Sequence, residues 1–263
     1  MSRSPLRREG TAAVALGASP MALFLLLPIA ALLLSLRPRV LAGLNSPFAL
    51  RALWVTLRTT AAATILCVGG GLPLAYLLAR FEFRGKQFLD TLTDLPITLP
   101  PVVAGVALLL AFGRRGLIGK YFDLAGIHIS FTGVAVVLAQ VFIACPFFIK
   151  AARAGFESVN PRLESAARTL GATPWRVFWT VTVPLSAPSL LAGTVMAWAR
   201  ALSEFGATMM FAGNFPGRTQ TLSLAVMTAM ESDLDTAVAV STLSLILALA
   251  ALAAARYFSP RHD

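Results

Sequence analysis

Long apolar blocks separated by short polar and basic stretches run the length of the chain. A helix needs about 20 apolar residues to cross the hydrocarbon core of a bilayer. Blocks at about 12–36, 52–79, 93–112, 132–151, 185–212 and 236–257 reach that length. The pattern therefore predicts an all-α, polytopic membrane bundle of about six transmembrane helices. The first block follows Arg3, Arg7 and Arg8, as a signal peptide would. Its apolar stretch exceeds the roughly 7–15 residues of such a peptide, and further spans follow, so it reads as an uncleaved first helix.

Composition agrees with the pattern. Of 263 residues, 57% are hydrophobic and 13% charged, against about 25% charged in a soluble domain. One bundle over 1–263 is expected, with no room for a separate catalytic domain. A net charge of +10 would suggest nucleic acid in a soluble protein. Here the basic residues sit in short loops beside spans, which is how topology is encoded. One set of segments carries Arg3, Arg7, Arg8, Arg80, Arg84, Lys86, Lys150, Arg153, Arg162, Arg168, Arg176, Arg256 and Arg261. The alternate loops carry Arg37, Arg39, Arg51, Arg114, Arg115, Lys120 and Arg218. The richer set is expected in the cytoplasm, which puts both termini inside; Arg114, Arg115 and Lys120 run against the trend.

Little else in the composition carries chemistry. Cys67 and Cys145 are distant in sequence, and His128 and His262 are isolated, so neither a disulfide nor a metal site is expected. Gly119-Lys120 lacks the glycine and the hydroxyl residue of a phosphate loop, because positions 114 and 121 are Arg114 and Tyr121. No ATPase is visible in the chain.

The longest polar interruption on the inner side spans about 152–184. Asn160-Pro161 is a strong helix start, with Asn as cap and Pro at the first helical position. Gly171 suits the left-handed residue that ends a helix. Between them Leu163, Ala166, Ala167 and Leu170 form one apolar face with small residues at its middle. Thr173-Pro174 repeats the start signal, and the second short helix is expected to stop before Pro184. Two short helices joined at a glycine make an elbow, which either packs on its own bundle or receives a soluble partner.

The spacing of Ala166-Ala167, Gly171 and Pro184, with Val181 and Val183 before the proline, resembles the "EAA" loop of ABC-importer permeases. Ser165 stands at that motif's Glu position, with Glu164 directly before it. Leu95-Pro-Ile-Thr-Leu-Pro-Pro-Val-Val-Ala-Gly105, Ala199 through Thr208, and Gly213 through Thr221 resemble the molybdate-importer branch, close to sulfate and tungstate permeases. The likeness runs from about residue 50 to 230.

The resemblance implies a permease subunit, not an enzyme, that carries an oxyanion across a bacterial or archaeal cytoplasmic membrane. Molybdate is the first choice, with sulfate or tungstate as alternatives. It implies a homodimer, two ATP-binding-cassette subunits that use ATP and Mg, a periplasmic or surface-tethered binding protein, and no cofactor or nucleic acid. Glu164, Ser165, Ala166, Ala167, Gly171 and Pro184 would couple to the ATPase.

Arg200 and Glu204 lie inside the fifth block at i, i+4 spacing. Charges in a span are costly and face a bundle interior or a watery cavity. They form either a structural pair or, with Arg58, part of a translocation path. Pro96, Pro100 and Pro101 mark either a bend or a plain helix start in the third block. Asp90 and Asp94 are expected near the inner interface. Two other classes remain open from the residues alone: an autonomous secondary transporter or channel, and a membrane scaffold with no path. The first needs coupling-ion sites or a selectivity ring in the spans, and the second does not need the elbow.

Overall fold

The computed structural model describes the backbone of residues 5–258 and the side chains of residues 18–254. The side chains of Arg3, Arg7, Arg8, Arg256, Arg261 and His262 lie outside the described residues. The helices run α1 (Pro5–Leu34), α2 (Pro38–Leu44), α3 (Pro47–Arg80), α4 (Lys86–Thr98), α5 (Pro101–Phe112), α6 (Gly119–Leu124) and α7 (Gly133–Ser158). They continue as α8 (Pro161–Thr169), α9 (Pro174–Val177), α10 (Val183–Leu202), α11 (Gly206–Ala212), α12 (Leu222–Met230) and α13 (Leu234–Phe258).

Several starts are written in the sequence as a polar cap. The side chain of Ser46 accepts from the N–H of Ala49 at 3.2 Å, and Thr132 from that of Ala135 at 3.4 Å. Such bonds satisfy N–H groups that the first helical turn leaves without intrahelical partners.

Four helices are long and apolar enough to cross a membrane: Pro47–Arg80, Gly133–Ser158, Pro174–Leu202 and Leu234–Ala254. Two bent pairs are long and apolar enough for a span when their halves are counted together: Ala18–Leu34 with Pro38–Leu44 at 88°, and Lys86–Thr98 with Pro101–Phe112 at 118°.

The third block, expected as one span over 93–112, is thus a sharp corner. Leu99 and Pro100 are extended (ψ 134° and 132°) and helix resumes at Pro101. A residue before proline is pushed out of the helical region, and two successive prolines force the extended pair. Both a bend and a helix start occur there. The fifth block, expected over 185–212, also differs. Its helix begins at Pro174, ends at Leu202, and resumes at Gly206 as the short α11.

The second elbow helix does not stop before Pro184. It runs through a π-helical turn, Phe178–Thr182, into α10, with the N–H of Val183 bonded to the carbonyl of Phe178 five residues back. Pro184 brings no N–H to the ladder, and the wider turn just before it absorbs the interruption.

The core is built on α3, α7 and α10, around Cys67, Leu78, Phe148 and Phe156. Small residues allow close approach. A Cβ on Gly71 would stand 2.8 Å from the Phe148 ring, one on Gly193 2.8 Å from Ala151 Cβ, and one on Gly155 2.6 Å from Ser189 Cβ. In lipid, where burial of apolar surface between helices drives little, such packing holds the bundle together. Cys67 and Cys145 are free thiols that meet across α3 and α7. Cys67 Sγ lies 3.9 Å from the carbonyl of Val141, and Cys145 Sγ 4.0 Å from that of Cys67.

The bundle has two distinct ends. At one, the last residue of α3 meets the elbow. At the other, the N–H of Phe131 bonds the carbonyl of Phe211 (3.2 Å), placing the segment before α7 beside the last turn of α11. His128 pairs there with Asp123 at 2.6 Å and is exposed. At the elbow end, α4 is strapped to α7 by Arg153–Asp90 (2.5 Å) and Lys150–Asp94 (3.0 Å).

Candidate functional site

The elbow is assembled from the caps in its sequence. Asn160 Oδ1 accepts from the N–H of Arg162 (3.0 Å) and opens α8 at Pro161. Gly171 takes φ +86°, a left-handed conformation that side chains with a Cβ resist. The N–H of Gly171 bonds the carbonyl of Arg168 (2.9 Å) and that of Ala172 the carbonyl of Ala167 (3.1 Å), which closes the helix end. Thr173 Oγ1 then accepts from the N–H of Arg176 (3.3 Å) and opens α9 at Pro174.

The apolar face of α8 does not fold back on the bundle. Leu163 is 49% exposed and Leu170 89% exposed, while Ala166 and Ser165 are also exposed and Ala167 half-buried. Trp175 at the start of α9 is 71% exposed. The outer side of the elbow is therefore a knuckle that exposes Leu163, Ala166 and Leu170 beside the charged Arg162 and Arg168, while Trp175 lines a cavity against α3.

Glu164 points the other way. It is the one buried residue of α8, and its Oε1 receives two donors, Arg80 Nη2 at 2.8 Å and Thr182 Oγ1 at 2.8 Å. Arg80 Nη2 also donates to the carbonyl of Val159 at 3.0 Å. Of the residues expected to couple, Ser165, Ala166 and Gly171 thus lie along the open side, Glu164 faces inward, and Pro184 sits within the first turn of α10. Arg80 and Thr182 escape sequence reasoning. An arginine at a span's end reads as a topology marker, and a threonine in an apolar block carries no signal of its own.

The second candidate region is the pair of broken helices. Arg200 Nη2 lies 3.2 Å from Glu204 Oε2, the arginine side chain 26% exposed and the glutamate 1%. The approach is too poorly aligned for a hydrogen bond at Oε2. Arg200 Nη1 also donates to Ser203 Oγ at 3.2 Å. Glu204 falls beyond the end of α10, and its Oε1 accepts from the N–H of Ala207 at 2.7 Å. The carboxylate therefore caps α11, where negative charge is favourable. A cavity of about 360 Å³ nearby is lined by Thr56, Ser203, Ser223 and Ser244 among apolar residues, with no charged side chain on its described walls.

Arg58 is not brought to this pair. Its Nη2 donates to the carbonyl of Arg218 at 3.3 Å, in the loop after α11. That loop is held by its own side chains. Thr219 Oγ1 accepts from the N–H of Phe215 (2.9 Å) and donates to the carbonyl of Gly213 (3.0 Å), while Gln220 Nε2 donates to Asn214 Oδ1 (2.9 Å). No group of three or more metal-ligating side chains occurs among the described residues.

Comparison with known proteins fits this architecture. Residues 71–263 match the family described as "Binding-protein-dependent transport system inner membrane component". The chain is 44% identical over 226 residues to the molybdenum transport system permease protein ModB of Mycobacterium tuberculosis, covering 86% of each chain. It is 43% identical over 183 residues to the ModB of Escherichia coli, covering 69% of this chain and 80% of that one. A probable sulfate transport system permease protein of Zygnema circumcarinatum is 33% identical over 240 residues, covering 89% of this chain and 83% of that one. The fold matches a chain of a bacterial ABC transporter for import of the acidic polysaccharide alginate, with TM-score 0.73 and 16% identity over 97% of this chain and 98% of that chain.

Subunits of this kind are not catalytic, and a separate ATPase uses the ATP. The autonomous transporter and the scaffold therefore fall away. The chain belongs to the family of binding-protein-dependent ABC-importer permeases, multi-pass proteins of the inner membrane that work with an ATPase and a binding protein.

Proposed function

We propose that this chain is the permease of a molybdate importer and acts as a homodimer around a central path. Sequence likeness carries the choice of substrate: relatives at 43–44% identity are named for molybdenum transport, against 33% for the sulfate permease. Residues 1–263 act as one permease domain, with both termini and the loop at about 152–184 in the cytoplasm. The exposed knuckle of the elbow enters a cleft of the ATPase. Its outward-facing Leu163 and Leu170 support this, because exposed apolar side chains in a water-facing loop favour a partner. On the exposed side of α5, Val102, Val103, Val106 and Leu110 offer an apolar surface for a second copy.

The decisive experiment is uptake by proteoliposomes containing the permease and its ATPase, supplied with the binding protein loaded in turn with molybdate, tungstate or sulfate. The expected result is transport of molybdate. Transport of sulfate with molybdate excluded would favour the sulfate reading.

A further inference from the structure

Glu164 is the only buried residue of α8, and everything else that helix presents is exposed or half-buried. Its attachment to the bundle is therefore concentrated in one carboxylate. The groups that hold that carboxylate come from different helices. Arg80 ends α3, Thr182 ends the π-helical turn leading into α10, and Arg80 reaches on to Val159, where α7 ends. The ends of three core helices converge on one side chain of the elbow. The pair is shielded from water, with side-chain exposures of 13% for Arg80 and 9% for Glu164. In such surroundings an ion pair is screened far less than at a surface.

We propose that Arg80, Glu164 and Thr182 form the mechanical joint through which movement of the elbow is transmitted to α3 and α10. The inference rests on the proposed docking of the elbow in the ATPase and adds the link on its inner side. Three features support it. A short helix held at one point pivots, where one packed along its length would slide. The link ends on a π-helical turn, a place where a helix changes geometry at small cost and where function often gathers. Arg80 Nε is buried without an acceptor among the described residues, so the guanidinium keeps a donor for a second arrangement of the joint. Glu164, Arg80 and Thr182 are positioning residues and touch no substrate.

The test separates the joint from the docking surface. The complex of permease, ATPase and binding protein is reconstituted, and three quantities are read: ATPase retained on purification, ATP hydrolysis stimulated by the loaded binding protein, and molybdate carried per ATP. Leu170→Asp, on the outer face, tests docking and should release the ATPase. If the ATPase is retained at normal levels, the docking reading fails. Glu164→Leu combined with Arg80→Met removes both buried charges together, which is near neutral for folding where the replacements pack well, and folded yield is read alongside. This variant should retain the ATPase and its stimulated hydrolysis but carry at least tenfold less molybdate per ATP. Thr182→Val keeps the ion pair and the shape of the side chain and should lower the same ratio severalfold. A merely structural ion pair predicts recovery of coupled transport in the double variant. Normal molybdate per ATP in the double variant, or in Thr182→Val, would overturn the joint while leaving the docking reading untouched.

Discussion

Gly105 of α5 and Ala207 of α11 approach so closely that a Cβ on Gly105 would stand 2.8 Å from the carbonyl oxygen of Ala207 and 2.9 Å from its Cα. The obstruction is backbone, so it cannot rotate away. Next to it, a Cβ on Gly206 would lie 2.9 Å from Pro101 Cβ. The two half-helices are thus joined near their starts by a pair of glycines. Overpacking a well-fitted contact costs about 1–3 kcal/mol, and a rigid backbone contact lies at the upper end. Gly105→Val should lower the melting temperature of purified permease, whereas Gly69→Ala, inside α3 with nothing within 4 Å of the added Cβ, should leave it unchanged or slightly raised.

The Arg200–Glu204 pair separates two roles. Removing one partner of a buried pair costs about 3–5 kcal/mol, while removing both charges with matched side chains is near neutral. Because Glu204 also caps α11, its replacement must still accept from Ala207. Arg200→Leu should therefore reduce folded yield sharply, and Arg200→Leu with Glu204→Gln should restore most of it. If the pair is structural, uptake per folded complex by the double variant returns to near the wild-type value. Folded protein with uptake reduced tenfold or more would assign Arg200 a part in transport.

At the hinge of the elbow, Gly171→Val places a β-branched residue at φ +86°, at a cost of about 1–2 kcal/mol for a left-handed residue. Insertion should proceed, since the change lies outside the spans, while uptake and stimulated ATP hydrolysis fall together. Ser165→Glu, on the exposed side of α8, should leave uptake within about twofold of wild type. A strong loss would mean that position 165 is not equivalent to the Glu of the family loop.

Orientation is open to direct labelling. In a background with Cys67→Ala and Cys145→Ala, a cysteine introduced as Pro216→Cys should react with an impermeant thiol reagent in intact spheroplasts. Asn160→Cys should react only after lysis. Reaction of position 160 from outside would invert the proposed topology.

Much of this molecule was legible in its sequence, for identifiable reasons. Helix caps are local chemistry, so Asn160-Pro161, Gly171 and Thr173-Pro174 announce their geometry without reference to the rest of the chain. The existence of the spans is set by the bilayer and was read from hydropathy, whereas the breaks in the third and fifth blocks were not. The corner at Pro100 was foreshadowed as one of two outcomes, because two prolines require an extended pair but say nothing about its angle. What failed to show was long-range. The alliance of Arg80 with Glu164 joins residues 84 apart in the sequence. The meeting of Cys67 with Cys145 depends on how α3 and α7 are rotated against each other. The continuation of α9 into α10 was hidden because a π-helical turn has no composition of its own.

That turn also fixes an angle. An α-helix advances about 100° per residue. A π-helical turn carries one residue more than the α-helical turn it replaces, so the side chains on its two sides are offset by roughly that angle. Trp175 and Trp179 before or within the turn therefore point in directions that an unbroken helix would not assign them relative to Arg200. Deleting a single residue between Phe178 and Thr182 would restore regular helix and swing the whole elbow about the axis of α10. The chain length of this segment is consequently as tightly specified as its side chains, and an insertion or deletion there would be felt at both ends of the membrane.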